Sequence, residues 1–238
     1  MSRLKTSIDW QSVILLLGLA AAVGVLWETP VVYPLKILVV FFHELSHGLM
    51  AILTGGEIVE IQVVAEQGGH CITRGGSRVL TLSAGYLGSL VWGGVILTLA
   101  ARTRWDRTIA VVLGGLLLSV TATFVRPFLS FGFGFGVASS LALLLLGLKL
   151  SERVCDLVLR LIGLTSCLYA VLDIKSDILD RPGLRSDAAM LAEVTGMPTT
   201  FWGVLWISVA VITGIAFLLF ASRQQKSGFA TLKPRKEG

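Results

Sequence analysis

The chain has 238 residues, of which 54% are hydrophobic and only 15% charged, and its mean hydropathy is +0.81. An ordinary soluble domain carries about 25% charged residues, so this composition excludes a water-soluble globule. Twenty Lys and Arg against fifteen Asp and Glu give a net charge of +5, but the excess sits in short connections and the C-terminal tail. No basic stripe is interleaved with aromatics, which excludes nucleic acid as a partner and suits a lipid bilayer with anionic headgroups.

In chain order, apolar runs occupy Ser12 to Trp27, Val32 to Leu53, Val79 to Ala101, Ile109 to Val125, Phe131 to Leu150, Val154 to Leu179 and Phe201 to Ala221. About 20 apolar residues cross the roughly 30 Å of bilayer hydrocarbon as a helix, so the pattern predicts an all-α polytopic membrane protein with six to seven spans. Ala20 to Ala22 imitate a signal-peptide cleavage site, but the first run reads as an uncleaved span. The expected location is the cell membrane.

Between the second and third runs the texture changes. Glu57-Ile-Val-Glu-Ile-Gln-Val-Val and the stretch from His70 to Arg74, separated and followed by glycines, read as two strands of a small hairpin inserted at 57–78. Backbone of this kind survives at membrane depth only where protein or water satisfies it, so the hairpin is expected at the interface or against the bundle. Residues 1–225 read as a single integral-membrane domain and 226–238 as a basic flexible tail. Cys71, Cys155 and Cys167 have no C-x-x-C partner and read as structural thiols.

The second run carries the chemistry. His43-Glu44-Leu45-Ser46-His47 is an H-E-x-x-H sequence holding two of the three histidines in the chain. On an α-helix the two imidazoles lie about 40° apart on one face and can meet one metal ion, with Glu44 beside them as general base. Three polar or ionisable groups near mid-span, at about 2.5–3.5 kcal/mol each on insertion scales, argue for a bound partner.

A tetrahedral zinc site takes a third protein ligand and keeps the fourth position open. Carboxylates in the sixth run supply the candidates: Asp173, deepest in the apolar stretch, is expected to be the ligand, with Asp177 at i+4 as the alternative. His70, in the glycine-rich hairpin, reads as exposed or as a supporting group rather than a ligand. Ser186-Asp187-Ala188 reads as the capped start of a short interfacial helix. Gly85, Ser89 and Gly93 form a small-residue stripe for close helix packing, and the alternating Phe and Gly of Phe131 to Gly136 read as a lipid-facing aromatic belt.

Taken together, the H-E-x-x-H helix, Thr54-Gly55-Gly56, Glu66-Gln67-Gly68-Gly69, Thr73-Arg74-Gly75-Gly76 and Ala84-Gly85-Tyr86-Leu87-Gly88-Ser89 resemble the B-like branch of the site-two protease metallopeptidases. Downstream, Asp173-Ile174, Asp177, Arg181, Ser186-Asp187-Ala188 and the Trp202-Gly203 and Trp206 opening of the last run extend the likeness over about residues 30 to 210. The resemblance implies an intramembrane zinc metalloprotease with one Zn²⁺ on His43, His47 and Asp173, and Glu44 as the catalytic base. Better-studied members carry the aspartate in a Leu-Asp-Gly setting, whereas here Ile174 follows Asp173, so Asp173 and Asp177 both stay open.

The expected reaction is hydrolysis of a peptide bond in a membrane protein or membrane-associated peptide. The hairpin strands would hold the substrate by edge pairing, with Gly68, Gly69, Arg74 and Gly75 as substrate-binding candidates. Two alternatives carry different predictions. A non-catalytic metal-binding scaffold would have no need of Glu44, and a metal transporter would spread its ionisable groups along a path through several spans.

Overall fold

The computed structural model describes residues 8–177 and 185–223. Eight helices and two strands follow one another as α1 (Trp10–Val25), α2 (Tyr33–Leu53), β1 (Glu57–Val63), β2 (Gly69–Arg74), α3 (Arg78–Arg102), α4 (Asp106–Phe124), α5 (Phe131–Lys149), α6 (Glu152–Lys175), α7 (Asp187–Thr195) and α8 (Thr199–Ala221). Six of them, α2 to α6 and α8, are long and apolar enough to cross a membrane, while α1 is apolar but only 16 residues long. The chain is a multi-pass membrane protein with a two-stranded antiparallel hairpin between α2 and α3. The end of the sixth apolar run and the basic tail at 226–238 fall outside the described residues.

Helix α2 lies at the centre. It packs against α3, α6 and both strands, and its side chains from Lys36 to Phe42 are buried. Lipid tails are as apolar as leucine, so what holds these helices together is close packing and hydrogen bonding rather than hydrophobic transfer. The small-residue stripe of α3 meets that demand. A side chain at Gly93 would collide with the backbone of Gly163, and one at Gly163 with the backbone of Gly93, so α3 and α6 touch nearly backbone to backbone. One turn earlier the Ser166 hydroxyl donates to the Ser89 carbonyl at 2.7 Å across the same interface.

Helix ends in a bilayer need partners for their last carbonyls, and arginines provide them. The Arg107 guanidinium donates to the Gly147 and Leu148 carbonyls, both at 2.8 Å, at the end of α5. Arg126 closes α4 through the Thr123 carbonyl at 2.9 Å and the Val125 carbonyl at 2.8 Å.

The hairpin is buried on one side by the bundle. Ile58, Ile61 and Val63 point inward, a spacing of three and then two that strict alternation cannot give. The register shift between Ile58 and Glu60 explains it: a bulge inserts one residue and moves the buried phase from even to odd positions. The outer edge of β1 is covered, since the Arg126 amide donates to the Ile61 carbonyl at 3.0 Å and Gly132 of α5 packs against the Val63 backbone. The Phe-Gly alternation is therefore two-sided, with Gly132 and Gly136 forming contacts and Phe131 partly exposed.

Candidate metal centre

The H-E-x-x-H residues sit in the middle of α2. Glu44 and His47 are buried and His43 nearly so. The Nε2 atoms of His43 and His47 lie 3.0 and 3.2 Å from Oδ2 of Asp187, and the three ligand atoms all fall within 4.8 Å of one another. Among the described residues this is the one His/Cys/Asp/Glu group so arranged. The carboxylate that meets the imidazoles is thus Asp187, where Asp173 or Asp177 was expected.

Asp187 arrives through local structure. Ser186 caps α7, its hydroxyl accepting from the Ala189 amide at 3.3 Å, and the helix ends at Gly196 with φ +74°. Ala188 and Leu191 bury the inner face of α7 against Tyr86, Ile174 and Trp206, which brings the first residue of the helix onto the histidines. Asp173 and Asp177 line the wall of the same cavity. The Asp177 carboxylate accepts from the Tyr86 hydroxyl, and the Tyr86 ring meets His43 edge-on at 5.1 Å between centroids. The expected ligands thus line the cavity without joining the cluster.

The donor set fits a cation. The His47 ring nitrogen Nδ1 is 2.7 Å from the Thr81 carbonyl and must donate to it, so in the neutral ring Nε2 is a lone pair. A lone pair 3.2 Å from a carboxylate oxygen needs a positive centre between or upon them. Two imidazoles and a carboxylate with an oriented ring are a zinc-type ligand set. Burial alone would raise the Asp187 carboxyl, but the two imidazoles beside it hold it below the usual carboxylate range.

Glycines let the backbone close around the site. A side chain at Gly85 would run into both imidazole Nε2 atoms, so α3 passes the cluster as near as the chain permits. A Cβ at Gly69 would lie 2.7 Å from Oε1 of Glu44, so the Glu44 carboxylate rests against the hairpin backbone. The cluster opens into a cavity of about 800 Å³.

Of the substrate-binding candidates, Gly68, Gly69 and Gly75 line that cavity. Arg74 is turned to the exposed side, where it pairs with Glu57 at 2.9 Å. His70 is exposed and lines the cavity outside the cluster. Cys71 lines it too, and burial, with the Glu44 carboxylate nearby, pushes its thiol up to about 12.

The chain is thus a multi-pass membrane bundle with an H-E-x-x-H helix at its centre and a carboxylate closing a His-His-Asp cluster fit for a metal ion. The model of the family described as Peptidase M50B-like matches residues 16–217, and the chain belongs to that family. No curated protein and no solved structure matches it significantly.

Proposed function

We propose that the chain is an intramembrane zinc metalloprotease of the cell membrane that hydrolyses peptide bonds of membrane proteins or membrane-associated peptides. The observation that carries this reading is the convergence of His43, His47 and Asp187 within 4.8 Å in a cavity that Glu44 also lines. His43, His47 and Asp187 would hold the zinc ion. When bound, the ion would polarise the scissile carbonyl and lower the pKa of its water toward about 7.

The rest is the work of the chain. Glu44, held against Gly69, takes a proton from the attacking water and delivers it to the leaving amide nitrogen. A helical substrate has no free backbone groups, so it must be extended before attack. Strand β2 runs along the cavity from Gly69 to Thr73, and an extended peptide can pair with its edge.

The test is zinc content and cleavage of casein by the detergent-purified chain beside Glu44→Gln and Asp187→Ala. We expect about one zinc per chain in the wild type and in Glu44→Gln, with cleavage only in the wild type, and neither zinc nor cleavage in Asp187→Ala. Equal cleavage by Glu44→Gln and the wild type would remove the enzyme reading.

A further inference from the structure

On the reading that the His43–His47–Asp187 cluster holds a metal and the cavity holds a peptide, we propose a further substrate-contacting residue: the Thr81 hydroxyl donates a hydrogen bond to the carbonyl oxygen of the peptide bond presented to the cluster. Thr81 lies one helical turn before Gly85, the glycine against which both imidazoles rest, and it lines the cavity. Its own carbonyl, 2.7 Å from His47 Nδ1, fixes it beside the metal ligand.

The hydroxyl is what distinguishes it. Thr81 is 8% exposed, and its Oγ1 is buried with no hydrogen-bond partner among the described residues. A buried hydroxyl without a partner is costly. Several other buried hydroxyls in the helices solve the problem locally, by returning to the carbonyl four residues earlier. Ser89 does so to Gly85 at 3.0 Å, Thr121 to Leu117 at 2.7 Å and Ser140 to Gly136 at 2.6 Å.

For Thr81 that carbonyl belongs to Ser77, and it accepts the Thr81 amide at 2.9 Å without the hydroxyl. Thr98 and Thr165 also carry unpartnered hydroxyls among the described residues, but neither lines the cavity. Of the three, Thr81 alone lines the cavity. A hydroxyl can donate to a carbonyl oxygen, and the oxygen of the scissile bond is the acceptor brought to this wall. There its hydrogen bond strengthens as the oxygen gains negative charge.

The test uses the full-length protein in detergent, loaded with zinc, and acetohydroxamate as a carbonyl-bearing probe, with affinity read by calorimetry. Thr81→Val should keep one zinc per chain and bind the probe about tenfold more weakly, while Thr81→Ser should bind within about twofold of the wild type. Thr81→Ala serves as the second hydroxyl-free variant if the valine disturbs folding. Wild-type affinity in Thr81→Val or Thr81→Ala overturns the proposal, and so does an equal loss in Thr81→Ser, which would mark a packing effect. A wild type that holds no zinc overturns both the metal reading and this contact. The expected probe pattern in a protein that cleaves no casein would overturn the protease reading and uphold the contact.

Discussion

At the start of α7 two adjacent residues divide two tasks: Ser186 satisfies the helix end and Asp187 faces the imidazoles. A carboxylate in the first turn is also favoured by the helix dipole, so local propensity and the cluster ask for the same residue. Asp187→Asn keeps the shape and removes the charge, and we expect it to lower zinc affinity at least about tenfold, whereas Asp173→Asn should keep one zinc per chain by elemental analysis. The histidines and Glu44 were legible in the sequence because one helix brings them together at fixed spacing. Asp187 was not, since its place depends on how α7 packs against α3 and α8. The signal available was the Ser186-Asp187-Ala188 segment of the family resemblance, which a capping reading absorbed. Cys71 supplies a residue-scale check on the cavity wall. With its thiol pushed up to about 12, it stays protonated at pH 8, so a maleimide should label it far more slowly than in the denatured chain, by mass spectrometry.

Strand β1 and helix α3 show what periodicity carries and what it hides. The helical spans follow from unbroken apolar length, and their observed limits differ from the sequence reading by a few residues, as at α3, expected from Val79 and beginning at Arg78. The hairpin was legible from its branched residues and glycine ends. The bulge at Ile58 and Glu60 was not, because a one-residue insertion leaves no composition signal. The hairpin also confines Glu44. Gly69→Ala would place a methyl 2.7 Å from Glu44 Oε1 and 2.8 Å from the Gln62 carbonyl, and we expect turnover to fall at least about tenfold with zinc content unchanged. A different contact governs stability: Gly93→Leu forces α3 away from Gly163 and should cost roughly 1–3 kcal/mol, seen as a lower unfolding midpoint in detergent.

Across the whole molecule, the two ends of the described chain are tied together. Ile8 pairs with Arg223, the Asp9 amide donates to the Ser222 carbonyl at 2.8 Å, and Arg102 donates to the Phe220 carbonyl at 3.0 Å. These contacts tie the start of α1 and the end of α3 to the end of α8, while the cavity is lined from α2, β2, α3, α6 and α7. If zinc serves chemistry rather than folding, phenanthroline should abolish casein cleavage without lowering helix content by circular dichroism, and added zinc should restore it.

Helix α1 brings the bilayer itself into the account. Its 16 residues extend about 24 Å at 1.5 Å per residue, short of the roughly 30 Å of a bilayer's hydrocarbon, and Ile14, Leu15 and Leu17 are exposed along its length. A short apolar helix facing lipid draws the leaflets together or leaves its ends mismatched. If α1 crosses the bilayer, the membrane beside it is drawn thin, and the reconstituted protein should unfold at a higher temperature in bilayers of shorter acyl chains than in thick ones.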